Sequence, residues 1–332
     1  MTGLSDSFQR PINYLRISVT DRCNLRCVYC MPSDGVSLMS HGDVLNYEEI
    51  YTVVLAATEL GINKVRLTGG EPLIRSGLPG LIQMLAQIDA VNDISLTTNG
   101  LLLSRYAAEL KQAGLQRVNV SLDTLKPDKF EFITRRNNNP GNVGDVLAGI
   151  EAAKSVGLNP VKINTVVMAG INDDELVDFA AKTIDEGWHV RFIELMLPVG
   201  VSTTATQFIS VSNMRERLKS LGELEPCLPS AGNGPAKYFR FPHARGSLGF
   251  ITPVSEHFCF RCNRLRLTSD GKLRSCLLAE NEIDLKQSLR SGMSSSGLIK
   301  HLIEEAVSRK PLHHRLNEGY MPKDRPFSQV GG

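Results

Sequence analysis

Three cysteines lie within eight residues near the start of the chain, in the stretch CNLRCVYC (23–30). Cys23, Cys27 and Cys30, here called the first triad, are three of only seven cysteines. Close thiolates can bind zinc, form a disulfide or hold an iron–sulfur cluster. A disulfide uses two cysteines, and a closed zinc site needs a fourth ligand, for which the nearest histidine is His41. Three thiolates suit a [4Fe–4S] cluster with one open iron, and zinc remains an alternative.

A second set of three cysteines occurs in the last quarter of the chain. Cys259, Cys262 and Cys276, the second triad, are interleaved with arginines. Taken alone, this spacing together with His257 would also suit zinc. Two sets of three cysteines in one chain favour two clusters, each with an open iron.

The composition describes a globular protein without a strong charge bias. With 332 residues and 42% hydrophobic residues, the chain can build a full core, as two domains or as one large domain with an extension. The net charge of +2 gives no reason to expect nucleic acid or a membrane as a partner. Residues 237–274 nevertheless hold eight Lys or Arg and two Asp or Glu. This region could attract a small polyanion or form a solvated basic face.

The N-terminal stretch MTGLSDSFQRPIN has no apolar core, and no apolar run approaches the length of a membrane span. These features predict a cytoplasmic protein. In that compartment, clustered cysteines are more often metal ligands or catalytic groups than disulfides.

The elements that must position the cysteines form a regular alternation over the first two-thirds of the chain. Six short apolar runs indicate buried parallel strands, at 13–20, 64–68, 93–97, 117–122, 161–167 and 190–195. Helical patterns lie between them, near 47–60, 78–88, 101–113, 143–156 and 173–186.

Six strand–helix repeats predict an α/β fold, an incomplete open (βα)6 barrel of the TIM type. An open doubly wound sheet is the alternative. We expect this partial barrel to span 1–197. Residues 198–332 then form a C-terminal α+β extension that carries the second triad. The first triad follows the first strand directly, at the end of a barrel where catalytic groups gather.

Several motifs carry a family resemblance. CNLRCVYC fits the CxxxCxxC signature of radical S-adenosylmethionine (SAM) enzymes, including the aromatic residue before the third cysteine. LTGGEPL (67–73) resembles the GGEP motif of the same family. FCFRCNRLRLTSDGKLRSCL (258–277) and the double-glycine tail resemble the branch that acts on GTP in molybdenum cofactor biosynthesis. RISVTDRCNLRC, KVRLTGGEPL, TTNG, SLDTL and RFIELM occur in the same order as in that branch, so the resemblance covers essentially the whole chain.

The resemblance implies two [4Fe–4S] clusters and SAM as cofactors. The first triad would ligate the cluster that binds SAM, and the implied SAM contacts are Tyr29, Gly70, Ser121 and Met196. The second triad would ligate a cluster that meets GTP. The implied GTP contacts are Arg16, Arg66, Thr97, Lys162, Arg264 and Arg266. The sequence pattern supports Arg16, Arg66 and Lys162 independently, because a charge inside an apolar strand is costly unless it faces a cavity or a partner.

The implied reaction is a radical rearrangement of GTP. A 5′-deoxyadenosyl radical abstracts the ribose 3′ hydrogen, and the sugar radical attacks C8 of guanine to give 3′,8-cyclo-7,8-dihydro-GTP. The product would pass to cyclic pyranopterin monophosphate synthase. An electron donor is also implied, and a homodimer is left open. The terminal Gly331 and Gly332 are expected to insert toward the barrel mouth and assist radical generation or abstraction.

Two other functions remain open at this point. One is a different radical SAM enzyme with an auxiliary cluster, such as a peptide-modifying maturase. The other is a non-enzymatic zinc-binding or nucleic-acid-binding protein with a basic patch.

Overall fold

The computed structural model describes residues 3–136, 141–196, 207–291, 296–322 and 324–331. Its strands are β1 (Tyr14–Ser18), β2 (Lys64–Thr68), β3 (Asp93–Thr98), β4 (Arg117–Ser121), β5 (Lys162–Val167), β6 (His189–Glu194), β7 (Glu225–Pro226), β8 (Lys237–Arg240), β9 (Ser247–Ile251), β10 (Arg264–Leu267), β11 (Lys272–Arg274) and β12 (Glu282–Asp284). Its helices are α1 (Tyr47–Glu59), α2 (Leu78–Ala86), α3 (Leu103–Gln112), α4 (Pro127–Thr134), α5 (Val143–Ser155), α6 (Leu176–Asp185), α7 (Val211–Leu218), α8 (Lys286–Arg290) and α9 (Ser296–Ser308).

All twelve strands form one sheet in the order β12-β11-β10-β1-β2-β3-β4-β5-β6-β9-β8-β7. The eight strands from β10 to β9 run parallel to their neighbours, and two antiparallel strands extend each edge. The two outermost strands, β12 and β7, are not paired with each other within the described residues. The predicted open α/β architecture is therefore confirmed.

The C-terminal region extends the six-stranded sheet on both sides. β9 pairs with β6 at one edge and β10 pairs with β1 at the other, although only twelve residues separate them along the chain. The segment between them therefore bridges the open side of the barrel and carries two cysteines of the second triad. The boundary at 197/198 stays a prediction, because residues 197–206 lie outside the described part of the chain.

The six predicted strands and five predicted helices are present to within about three residues at each end. The sequence patterns do not predict α4, α7, β7, β10, β11 or β12. α4 is a short helix that begins at Pro127, and its apolar face is only partly buried. β10 alternates arginine with leucine, a pattern that periodicity alone does not identify as a buried strand.

The two faces of the parallel sheet have different chemistry. One face packs against the helices through apolar residues such as Leu15, Leu67, Leu96 and Val120, each at most 1% exposed. Side chains alternate across a strand, so the intervening residues point to the other face, inside the barrel. None of the helices in the described part of the chain combines the length and apolar character that crossing a bilayer requires.

Candidate active site

A single cavity of about 330 Å³ brings the two triads together. All six of their cysteines line it, and none is in a disulfide. Its walls include the inner-face residues of the parallel strands: 14 and 16, 66 and 68, 97, 121, 164 and 166, 191 and 193, 251, and 264 and 266. Cys30 and Cys259, which are 229 positions apart in the sequence, therefore share one interior space with the rest of both triads.

The first triad lies on a loop that is held against α4. The backbone N–H of Arg26 donates to the Thr134 carbonyl at 2.9 Å, and that of Val28 donates to the Ile133 carbonyl at 2.9 Å. Val28 and Ile133 also belong to one buried apolar cluster. The unpredicted helix is therefore what fixes the cysteine loop after β1.

Burial disfavours the ionised, thiolate form of the cysteines in the first triad. It raises the pKa of Cys23 to about 11, and the nearby Glu71 carboxyl adds to the effect. It raises the pKa of Cys30 to about 12, with further contributions from Cys23 and Asp123. Thiolates at these positions need a bound cation such as the iron of a cluster.

The Gly-Gly-Glu turn after β2 packs directly on the cysteine loop. The Gly70 N–H donates to the Thr20 carbonyl at 2.8 Å, and the Glu71 N–H donates to the Arg22 carbonyl at 2.8 Å. A Cβ at Gly70 would lie 2.1 Å from the Arg22 carbonyl oxygen, so only glycine fits. The Glu71 carboxylate accepts hydrogen bonds from Thr98 Oγ1 and Asn99 N, each at 2.7 Å, and so joins the ends of β2 and β3.

The other predicted SAM contacts also face the cavity. The Tyr29 hydroxyl donates to Asp123 Oδ2 at 2.7 Å, and Asp123 Oδ1 accepts from the Val166 N–H at 2.8 Å. This pair fixes the tyrosine beside the first triad. Ser121, at the end of β4, and Met196, just after β6, line the same cavity.

The second triad lies among buried cations. Arg264 Nη2 is 3.6 Å from Cys262 Sγ. Burial raises the pKa of Cys262, but Arg264 and Lys310 outweigh it and bring the pKa to about 6. Burial raises the pKa of Cys259, while a hydrogen bond from the His314 backbone and, more weakly, Arg10 oppose the rise. The second triad is thus surrounded by positive charge.

A basic surface continues from the second triad along the inner face of the sheet. Arg16 on β1 lies in register with Arg266 on β10 and with Arg66 on β2. Burial and these two neighbours lower the pKa of Arg16. Buried like charges repel one another, so this arrangement calls for an anion in the cavity.

The predicted GTP contacts differ in whether they line the cavity. Arg16, Arg66, Thr97, Arg264 and Arg266 line the cavity. Lys162 does not, and its ammonium donates to the Ala231 carbonyl at 2.5 Å and to the Tyr238 hydroxyl at 3.4 Å. The loop containing Ala231 continues to Gly234 and Pro235, which do line the cavity. This loop therefore lies between Lys162 and the interior space.

The C-terminal tail reaches into the barrel between the two triads. Phe327 and Val330 belong to an apolar cluster against which Cys30, Cys276 and Met196 pack. Arg266 Nη1 donates to the Gly331 carbonyl at 2.6 Å. Gly331 has a left-handed φ of +69°, and a Cβ there would lie 2.8 Å from Thr68 Cγ2. Gly332, the other predicted tail residue, lies outside the described residues.

The residues around the cavity fit a polar ligand and two clusters. Several lining residues have buried polar atoms without a hydrogen-bond partner within the described chain, among them Tyr14 OH, Thr97 Oγ1, Asn164 Oδ1 and Arg191 Nε. Such groups are normally paired, so they are suited to a bound polar molecule. No three His, Cys, Asp or Glu side chains in the described chain converge on one metal ion. The three thiolates of a [4Fe–4S] cluster each bind a separate iron, so they need not converge on one metal ion.

Three of these lining residues are not among those predicted from the sequence. Arg191 on β6 is 4% exposed and donates to Asn119 Oδ1 at 2.5 Å. It interrupts an apolar strand, as Arg16 and Arg66 do, so the same signal could have identified it. Tyr14 and Asn164 carry no comparable signal, because a tyrosine or asparagine in a strand is unremarkable.

Comparison with known proteins defines the class first. The family model of the radical SAM superfamily matches residues 17–182, and the Molybdenum Cofactor Synthesis C model matches residues 188–316. A structure of Streptococcus suis SuiB bound to S-adenosylmethionine aligns with a TM-score of 0.60, covering 86% of this chain and 68% of that chain. At 13% identity, this likeness concerns the fold alone. The chain is a radical SAM protein.

Full-length relatives then give the particular family. The GTP 3′,8-cyclase of Pelotomaculum thermopropionicum is 52% identical over 332 residues, 99% of this chain and 100% of the relative. That of Moorella thermoacetica is 51% identical over 330 residues, again 99% and 100%. The chain belongs to the GTP 3′,8-cyclase family, whose cofactors are SAM and two [4Fe–4S] clusters. This membership favours the branch acting on GTP over the maturase and zinc-protein alternatives.

Proposed function

We propose that this chain converts GTP to (8S)-3′,8-cyclo-7,8-dihydroguanosine 5′-triphosphate, the first step of molybdenum cofactor biosynthesis. One observation supports this above all others. Both triads line one cavity, and buried arginines occupy the wall that adjoins the second triad. A cofactor held at one triad and a nucleotide held at the other would therefore face each other across a short, enclosed space.

The first triad and its neighbours are proposed to hold the SAM end of the site. Cys23, Cys27 and Cys30 would ligate the first cluster, which together with bound SAM supplies a 5′-deoxyadenosyl radical when reduced. The Gly69–Gly70 backbone lies beside the triad and would accept hydrogen bonds from the methionyl amino group. Tyr29, held by Asp123, would shape the wall next to the cluster, with Ser121 and Met196 completing the contacts.

The basic wall is proposed to hold the triphosphate. Arginine forks suit phosphate oxygens, and Arg16, Arg66, Arg264 and Arg266 present four of them in adjacent strands. Arg191, from β6 on the other side of the cavity, joins this set. Thr97 would donate its unpaired hydroxyl. Lys162 would contribute to triphosphate binding in one of two ways: through its charge alone, or by direct contact once the loop at Ala231, whose carbonyl now accepts from its ammonium, has moved.

The second triad, Cys259, Cys262 and Cys276, is proposed to ligate a cluster that meets the guanine base. Binding the base there would place the ribose toward the first triad, where the 3′ hydrogen can be abstracted. The tail lies between the two triads, and Gly331 with Gly332 is proposed to assist radical generation or hydrogen abstraction. Enclosure by the tail would also exclude water from the radical.

The proposed reaction also implies a downstream enzyme and an electron donor. The product would pass to cyclic pyranopterin monophosphate synthase, and a cytoplasmic one-electron donor would reduce the first cluster. We also propose a cytoplasmic location, and a homodimer remains compatible with the chain.

The direct test is anaerobic incubation of the reconstituted protein with SAM, a reductant and GTP. We expect GTP consumption with formation of 5′-deoxyadenosine and of a product that retains the triphosphate. ATP in place of GTP is the matched control and should not be consumed. Formation of 5′-deoxyadenosine with no change in GTP would overturn the proposal.

A further inference from the structure

Lys310 is a buried lysine beside the second triad that has no assigned role in the reaction. It follows α9 and is 3% exposed. Its ammonium donates to the Arg264 carbonyl at 2.8 Å and also to the Ser275 carbonyl. Arg264 lies two residues after Cys262, and Ser275 directly precedes Cys276. Lys310 therefore connects the two segments that carry the second triad.

The surroundings of Lys310 contain cysteines in place of a carboxylate. The negative groups that act on it most strongly are Cys262 and Cys276, and its ammonium forms no ion pair with an Asp or Glu of the described chain. Arg264 adds further positive charge nearby, and Arg10, which is paired with Asp6, adds less. A buried cation is costly unless a negative group compensates it. The thiolates of the second triad are the negative groups that can compensate it most strongly.

Arg10 provides an internal contrast at the same triad. It is 4% exposed, and its Nε pairs with Asp6 Oδ2 at 2.6 Å. Its other nitrogens donate to the carbonyls of Cys259 at 2.7 Å, Leu312 at 2.8 Å and Pro311 at 2.7 Å. Arg10 thus holds the backbone of the cysteine loop, but its charge is already neutralised by Asp6.

We propose that Lys310 is the counter-ion of the iron–sulfur cluster at the second triad and sets its reduction potential. Arg10 positions the same loop without setting the potential. The reduced cluster carries one more negative charge than the oxidised cluster, so a nearby cation stabilises the reduced form. The inference rests on the proposed function only in requiring a cluster at the second triad, and it does not depend on GTP turnover.

The test is a redox titration of both clusters in the anaerobically reconstituted protein, followed by EPR without GTP. The first cluster is recognised by the change in its signal when SAM is added. Lys310→Met should lower the potential of the second cluster and leave that of the first unchanged. Lys310→Arg should stay close to the wild-type protein. Lys300→Met is the matched control, because Lys300 lies on α9 in an exposed pair with Glu59 and should shift neither potential.

Two further variants separate charge from hydrogen bonding. Lys310→Gln keeps a donor but removes the charge, and it should lower the potential as Lys310→Met does. Arg10→Lys should reduce the amount of iron retained at the second triad without moving the potential of the clusters that form. If both neutral Lys310 variants lose the second cluster but keep the first, while Lys310→Arg keeps both, the proposal is also supported.

A wild-type potential in Lys310→Gln or Lys310→Met would overturn the proposal, because the charge would then be irrelevant. Loss of the second cluster in Lys310→Arg would overturn it as well. Normal potentials in every variant combined with absent GTP turnover in the wild-type protein would count separately against the proposed function.

Discussion

The two triads offer the same three thiol ligands in opposite electrostatic surroundings. The first has two buried carboxyls nearby, Glu71 and Asp123, which together with burial keep the pKa values of its thiols high. The second has Arg264 and Lys310, and the pKa of Cys262 falls to about 6. The ligand set alone therefore does not define a site, because the residues behind it decide which molecule it can accept.

The contrast suits the two molecules that the site is proposed to hold. SAM carries a sulfonium cation and an amino group, which a wall with carboxyls and backbone carbonyls can accept. A nucleoside triphosphate is a polyanion and needs arginines. The second triad therefore continues into the basic wall of Arg16, Arg66 and Arg266, whereas the first continues into the Gly69–Gly70 turn.

Removing one cysteine from each triad should separate their roles with the largest effect. Either Cys27→Ser or Cys276→Ser should abolish GTP conversion and lower the iron content from about eight to about four per chain. Cys27→Ser should also abolish 5′-deoxyadenosine formation, whereas Cys276→Ser should retain slow SAM cleavage whether or not GTP is present. Product analysis and iron assays measure both outcomes.

Cys227→Ser is the matched control for these two variants, because Cys227 does not line the cavity. It should keep full iron content and activity. Equal loss of SAM cleavage in Cys27→Ser and Cys276→Ser would break the distinction between the triads.

Arg191→Ala tests the basic wall at a distance from either triad. A hydrogen bond to a charged group contributes about 1.5–3 kcal/mol, so Kd for GTP should rise roughly 10- to 100-fold. SAM binding should change little. Anaerobic calorimetry or equilibrium dialysis measures both affinities, and the exposed helix residue Arg105, replaced by alanine, is the control. Unchanged GTP affinity would remove Arg191 from the site.

Gly331→Ala tests whether the tail must fit between the triads. The left-handed φ costs alanine about 1 kcal/mol, and the added Cβ would also clash with Thr68. Destabilising the docked tail by about 1.4 kcal/mol corresponds to a tenfold loss, so we expect GTP conversion to fall about tenfold or more. Both clusters and the melting temperature should be unchanged.

Gly319→Ala is the matched control for the tail, because Gly319 has a φ of +74° but a Cβ added there would meet no atom within 4 Å. It carries the same backbone strain without the clash and should retain activity. Full activity in Gly331→Ala would show that the docked tail is dispensable.

Much of this arrangement can be predicted from the sequence, for identifiable reasons. Apolar runs of five to eight residues indicate the six strands, because parallel strands are buried on both faces. Charges inside those runs indicate Arg16 and Arg66, and Arg191 carries the same signal. The six cysteines and the Gly-Gly-Glu turn have recognisable spacings.

The remainder depends on distant contacts that no local pattern encodes. The pairing of β10 with β1 joins residues about 250 positions apart. α4 holds the cysteine loop through backbone bonds, which leave no trace in side-chain periodicity. Lys310 appears in sequence as one more basic residue after a helix, and only its burial distinguishes it.

The smallest expected effect concerns Lys162 and pH. Burial, with Arg191, Arg117 and Arg66, lowers the pKa of Lys162 to about 7, and Asp93 opposes the shift. The ammonium therefore loses its proton as the pH rises through 7, and its attraction for a triphosphate weakens above that value. Lys162→Met should lower GTP affinity a few-fold at pH 6.5 and converge with the wild-type protein near pH 8.5. A constant ratio of the two Kd values over this range would contradict this role.

The central claim is that the two triads hold separate clusters that meet separate ligands in one cavity. EPR of the reduced, reconstituted protein tests it most directly when SAM and GTP are added one at a time. We predict that SAM perturbs a signal that is missing in Cys27→Ser, and that GTP perturbs a different signal that is missing in Cys276→Ser. Perturbation of the same signal by both ligands, or no response to GTP, would contradict the account.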